Sequence, residues 1–330
     1  MVAERVCKTR FARPCLFGAM TVWLGLPAHA QPYPAKPVRI VIPYAAGGTT
    51  YVMALMFGQK LGESLGQQFI VDPRPGAGGN VGAELVAKSA PNGYTVLMGN
   101  VTTHAINVSL YAKLPFDAVK DFVPITQTVL LNMALVVHPS LPVKSVQELI
   151  ALAKARPGQL NYGSGGIGTA PHLAAELFNQ LSATRMQHIA YKGNVLSIAD
   201  LLGGHIVLIF DNLAVVLPHV KTGRLRAIAG TGGQRSSQMP ELPTIAETGL
   251  PGFEVTGWHG LFAPAGTPRD IVQRLSGEIA RIVGSADVRQ QLARDGVDPV
   301  GSTPDQFAAF QRSEIAKWAQ VVKISGAKAE

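Results

Sequence analysis

Two glycine-rich turns hold the residue types from which a chain builds an anion site without a charged side chain. The first is Pro43-Tyr44-Ala45-Ala46-Gly47-Gly48-Thr49-Thr50, and the second is Gly163-Ser164-Gly165-Gly166-Ile167-Gly168-Thr169. Each follows an apolar, β-type run (VRIVI, LNY) and precedes a helical pattern, so each presents backbone N–H groups and small hydroxyls at a helix N-terminus. Neither turn contains Lys, Arg, Asp or Glu. Phosphate favours the bidentate fork of arginine, so an uncharged turn points to a carboxylate. A hydrogen bond to a charged acceptor contributes about 1.5–3 kcal/mol, and a partly buried helix N-terminus adds up to ~2 kcal/mol. Two such turns on one carboxylate, directly or through water, reach the roughly −8 kcal/mol of a micromolar ligand.

Other chemistries fail on spacing. Gly163, Gly165 and Gly168 satisfy G-x-G-x-x-G, but a dinucleotide site also needs an acid about twenty residues on. Met186-Gln187-His188-Ile189-Ala190-Tyr191 supplies none. Ser164 lacks the glycine two residues before it that a nucleophile elbow requires, and His172 follows too closely to be the late histidine of that fold. His104, His138, His172, His188, His205, His219 and His259 show no H-x-H or H-x-x-x-H spacing, so no metal or cofactor is expected.

The elements that must position these turns alternate along the chain. Strands are expected at 38–43, 69–72, 95–99, 160–163, 186–190, 206–210 and 225–229, where apolar runs are bounded by Gly, Pro and Asn. Helices are expected at 51–65, 80–89, 146–155, 172–182, 195–203 and 213–222; in the first, Phe57, Leu61 and Leu65 recur every four residues. Thr267-Pro268 and Thr303-Pro304 open two more, near 268–284 and 304–324, each with a threonine cap and proline at N1. This βα alternation implies an α/β protein with largely parallel sheets. The stretches 125–139 and 255–266 are read as connections between two lobes. One lobe then comprises 31–132 plus 256–330 and the other 133–255, with the paired crossings as a hinge.

The 330 residues and 47% hydrophobic content suit two domains. The formal charge is +8. Residues 1–30 hold Arg5, Lys8, Arg10 and Arg13 against Glu4, and the remaining basic residues are scattered, which argues against a nucleic-acid partner. A basic start, the apolar stretch CLFGAMTVWLGL and Ala28-His29-Ala30 read as a signal peptide cleaved after Ala30. Both cysteines, Cys7 and Cys15, lie inside it, so the mature chain has no disulfide or thiolate chemistry.

The motifs YPAKPVRIVIPYAAGG, RPGAGGNVGAELVAKSAPNGYTVLMGN, LNYGSGGIGTAPHLAAELF, DLLGG, FDNL and LFAPAGTP occur in one order along the chain. In this it resembles the periplasmic solute-binding receptors of tripartite tricarboxylate transporters, the Bug receptors. The resemblance implies a two-lobed, type II-like periplasmic binding protein, monomeric and without catalysis. It would capture a small organic carboxylate and hand it to membrane permease subunits, or to a sensor protein. It also implies ligand-binding roles for Tyr44, Ala46, Gly47, Gly48, Thr49, Thr102, Thr103, Ser164, Gly168, Thr169 and Asp211. Asp211 would accept from an amino or hydroxyl group on the ligand, although an Asp-Asn pair before a helix is also an ordinary N-cap. The chain departs from the family pattern at Tyr51 and Leu55, where an Asp and an Arg are usual, at Val207, and at Asn194, which replaces a small residue. The first two imply a more apolar first loop, suited to an aromatic or long aliphatic ligand.

Overall fold

The computed structural model describes Val2, residues 33–191 and residues 193–329; the rest of the leader, with its two cysteines and its Ala28-His29-Ala30 signal, lies outside the described residues. VRIVI forms β1 (Val38–Ile42), buried along almost its whole length, as a central strand covered on both faces must be. It pairs in parallel with β2 (Phe69–Pro73) and β3 (Thr95–Asn100), placing Val38 opposite Phe69 and Arg39 opposite Thr95. The crossover from β1 to β2 is α1 (Thr49–Leu65), whose Met53, Phe57 and Leu61 turn inward at helical spacing. It stops at Gly66, whose left-handed backbone (φ 71°) lets its N–H close on Gly62 O. The crossover to β3 carries α2 (Asn80–Ala87).

The sheets are mixed rather than largely parallel. β4 (Phe122–Leu131), which overlaps the stretch 125–139, and β10 (Gly257–Pro264), which lies within 255–266, pair antiparallel with each other, and β10 pairs antiparallel with β3. With β11 (Val297–Pro299) the first sheet has the order β11-β4-β10-β3-β1-β2. The second sheet runs β7-β6-β8-β5-β9. Here β6 (Asn161–Ser164) is parallel to β7 (Gln187–Ala190) and β8 (Leu208–Asn212), while β5 (Met133–Val137) is antiparallel to β8 and β9 (Arg226–Gly230). The chain leaves the first sheet on β4 and enters the second on β5 through the single residue Asn132.

The two crossings are tied together by Thr231, which is fully buried. Its hydroxyl donates to Met133 O (3.1 Å) and to Val255 O (2.6 Å), and its N–H donates to Met133 O (2.9 Å).

The second sheet is flanked by α4 (Val146–Ala155), α5 (Ala170–Ser182), α6 (Asn194–Leu202) and α7 (Leu213–Lys221). On the first, a π-helical turn (Thr102–Ile106) leads into the short α3 (Asn107–Leu110). The C-terminal segment supplies α8 (Arg269–Gly284), α9 (Ala286–Arg294), which the sequence reading did not anticipate, and α10 (Pro304–Ser325). Thr303 caps α10 in a full capping box with Gln306. Thr267 does not cap α8: its hydroxyl turns back to Pro264 O at 2.7 Å, and Pro268 takes the cap position. One apolar core runs from the first sheet (Leu97, Phe262) to the second (Leu135, Phe210), with Trp258 and Trp318 inside it. The buried Glu314 on α10 accepts from the Nε1 groups of Trp258 (2.9 Å) and Trp318 (3.1 Å), so both indoles are satisfied there.

Candidate functional site

A cavity of about 440 Å³ opens where the two sheets meet. Four helices reach it with their N-terminal ends: α1 at Gly48-Thr49-Thr50, α5 at Thr169-Ala170-Pro171, α6 at Gly193-Asn194 and α7 at Asn212. None of the four has a side-chain cap or an acidic residue in its first turn. Of the helices that do not reach this cavity, α4, α8, α9 and α10 carry Glu148, Asp270, Asp287 and Asp305 in their first turns, while α2 carries no acid there. The first N–H groups of a helix have no partner within it. Four such ends bring positive dipole ends to one cavity, although at α7 the Asn212 and Leu213 N–H groups are already taken by Asp211 Oδ1 (2.7 Å) and Asn132 O (2.8 Å). None of the described residues lining the cavity is Lys, Arg, Asp or Glu.

The walls are fixed by their own hydrogen bonds. At the end of β3, Asn100 Oδ1 accepts from the Thr102 N–H (3.1 Å), the Thr103 N–H (3.2 Å) and the Tyr44 hydroxyl (3.1 Å). Burial pushes the Tyr44 phenol up to about 12, so it stays protonated and donates. On β10, His259 Nε2 meets the Thr50 hydroxyl at 2.7 Å. Burial pushes that imidazole down to about 4, so the ring is neutral and orients the threonine without adding charge.

Of the residues singled out from the sequence, Tyr44, Gly48, Thr49, Thr102 and Thr169 line the cavity. Ala46 and Gly47 lie exposed on the outer side of the first turn. Thr103 is fully buried, its hydroxyl 2.9 Å from His104 Nδ1. Ser164 is buried, its hydroxyl 2.7 Å from His188 Nε2 and donating to Gly166 O at 3.0 Å. That serine–histidine pair lies off the cavity, with His188 half-buried on the edge strand β7, and burial pushes His188 down to about 4. The Gly168 N–H donates to His172 Nδ1 at 3.1 Å. Its left-handed backbone (φ 77°) lies under Leu110, where a Cβ would come within 2.3 Å of a methyl group. Asp211 is 2% exposed and sits behind Asn194 and Asn212, accepting from both. It does not cap α7, whose cap position is Asn212.

Tyr51 and Leu55 line a separate groove between α1 and α9, beside Lys60, Asp287 and Arg294. They wall the outside of the first lobe, which corrects the inference that they make the ligand loop more apolar. Val207 also lies off the cavity, its N–H donating to Asn161 Oδ1. The sequence reading included Thr50 only as the end of the first turn and missed Asn100, Asn212, Gly257, Trp258 and His259 as lining residues. Of these only Asn212, the last residue of the FDN strand end, carried a local signal.

Two α/β sheets enclosing an uncharged cavity fed by helix N-termini define a two-lobed solute-binding receptor of the periplasmic binding protein type. The chain belongs to the tripartite tricarboxylate transporter receptor family, whose model (Tripartite tricarboxylate transporter family receptor) matches residues 54–327. It is 38% identical over 309 residues to the protein BugT of Bordetella pertussis, covering 93% of this chain and 95% of that one. Among solved structures it is similar to Rpa4515 of R. palustris with adipate (36% identity, TM-score 0.81, covering 90% of this chain and 99% of the other). It is also similar to MatC of Rhodopseudomonas palustris with bound malate (30% identity, TM-score 0.76, covering 88% and 100%). Family and fold are those of solute-binding receptors, which are not enzymes. Membership implies export, and among the described residues no helix is long and apolar enough to cross a membrane.

Proposed function

We propose that the protein is a periplasmic receptor that captures a small organic carboxylate in the cavity between its lobes. The observation that carries this reading is the convergence of four helix N-termini, all without side-chain caps, on a cavity with no charged residue among its described lining. Such a site offers N–H donors in a fixed array and excludes competing cations by its positive potential. Bound adipate and malate in two relatives support the same ligand class. Gly48, Thr49 and Thr169 hold the carboxylate, and Tyr44 and Thr102 shape the wall beside it. Thr103, Ser164, Gly168 and Asp211 support the turns from behind, and Ala46 and Gly47 form the exposed edge of the first turn.

The lobes, 31–132 plus 256–330 and 133–255, act as the moving bodies, with Asn132 and Val255-Thr256 as the hinge. The leader directs export and is cleaved after Ala30. The loaded monomer delivers its ligand to the membrane permease subunits of a tripartite transporter, without catalysis, cofactor or metal.

Titration calorimetry of the mature protein against mono-, di- and tricarboxylates, inorganic phosphate and neutral sugars tests this. A carboxylate is expected to bind with micromolar affinity. Binding of phosphate or a sugar with no carboxylate bound overturns it.

A further inference from the structure

Asn194, the first residue of α6, faces the cavity, and its Nδ2 donates to Asp211 Oδ1 at 2.9 Å. The same oxygen accepts from the Asn212 N–H at 2.7 Å. On its other side the Asn194 amide rests on bare backbone: a Cβ on Gly165 would stand 2.0 Å from Asn194 Oδ1. Gly165 has no left-handed φ, so the space it leaves, rather than its backbone freedom, makes a glycine necessary there. The carboxamide is thus wedged between a glycine and a carboxylate, with a fixed direction for each of its polar atoms.

The consequence is a matter of order from the cavity outward. A ligand meets Asn194 and Asn212, both of which line the cavity, while the Asp211 carboxylate lies behind them at 2% exposure. Asp211 is the acidic group at this end of β8, the natural partner for an ammonium carried next to a ligand carboxylate. One of its oxygens already takes two protein donors, and the Asn194 amide stands between it and the cavity. An ammonium placed there loses hydration and meets a carboxamide held in place by the protein, together with the positive ends of four helices. A plain methylene in the same place meets neither penalty.

We infer that Asn194 is a specificity residue that restricts the receptor to carboxylates without an amino group, by holding Asp211 out of the ligand's reach. The inference rests on the carboxylate-receptor reading and narrows it to a class.

The test is calorimetry with matched pairs: succinate and L-aspartate, glutarate and L-glutamate, adipate and L-2-aminoadipate. For the chain length that binds, the natural protein is expected to hold the unaminated member at least tenfold more tightly. In Asn194→Ala the ratio should shrink at least fivefold, through a gain for the amino acid. Asn194→Ser, which keeps a small polar group at the start of α6, should fall between the two.

A natural protein that prefers the amino acid overturns the inference, and so does a ratio that Asn194→Ala leaves unchanged because both members weaken alike. In those two outcomes carboxylate binding itself still stands. If the natural protein binds no member of any pair and no other carboxylate, the receptor reading falls, and the inference falls with it.

Discussion

Gly48 is the position where charge at the site can be changed with least disturbance to the fold. It occupies the N-cap of α1 with φ −83° and ψ 173°, a conformation open to any residue, and a Cβ built there meets nothing within 4 Å. Gly48→Asp therefore introduces no clash and no backbone strain. An aspartate at that position would cap a helix that lacks a side-chain cap, adding about 0.3 kcal/mol of stability relative to glycine. Its effect on a bound carboxylate is opposite in sign. At a separation of about 6 Å and an effective dielectric of about 20, two like charges repel by about 2.8 kcal/mol. Screening in an open cleft halves this to about 1.4 kcal/mol, a tenfold loss of affinity. The new side chain also competes for the α1 amides, which adds to the loss. Calorimetry with the best-binding carboxylate, alongside thermal melting, is thus expected to give at least tenfold weaker binding with an unchanged or slightly higher Tm. Gly48→Asn, of similar shape but uncharged, separates charge from bulk and should retain more of the affinity than the aspartate. Unchanged affinity in Gly48→Asp would remove the first turn from the site and refute the reasoning that places the carboxylate on α1.

Two further predictions concern the frame of the site. Glu314→Ala leaves the buried indole N–H groups of Trp258 and Trp318 without their acceptor and should lower stability by about 2–4 kcal/mol in urea unfolding. Glu314→Gln keeps an acceptor oxygen and should lose less; equal losses would mean that the indoles find other partners. The second prediction is that stability falls between pH 7 and pH 5. Burial pushes His172, His188 and His259 down to about 4, and His104 to about 3, from the ordinary imidazole range. Below about pH 6.5 the unfolded chain takes up protons that the folded one refuses, so this contribution is full above that value and is lost toward pH 4. Asp211, pushed up to about 6 by burial, works in the opposite sense over part of that window. His259→Gln, which keeps a hydrogen-bonding group for Thr50, should show a smaller drop in urea midpoint between the two pH values; an equal drop would exclude His259 as a contributor.

The local grammar of the chain determined a good deal by itself. β-branched VRIVI followed by Gly47-Gly48 and a period-four apolar pattern specifies strand, turn and helix, because each signal acts over a few residues. Thr303-Pro304-Asp305-Gln306 specifies the capping box of α10 for the same reason, and the lack of charge in both glycine turns already pointed to backbone recognition. What the sequence could not give was the partner of each segment. The residues 125–139 and 255–266 mix apolar runs with Thr, Gln, Asn, His and Gly and show no sustained alternation, so they read as connections. They became the paired strands β4, β5 and β10 only through hydrogen bonds made across the chain. The way each turn faces was likewise set by packing. Tyr51 is two residues from Thr49 yet lines an outer groove, and the buried Ser164 hydroxyl is 2.7 Å from His188, away from the cavity. Thr50 and His259, 209 positions apart, meet at 2.7 Å in the cavity wall. Helix N-termini are local features that the sequence announces one at a time. Their convergence on one cavity is a property of chain paths through two sheets, and only the tertiary structure decides it.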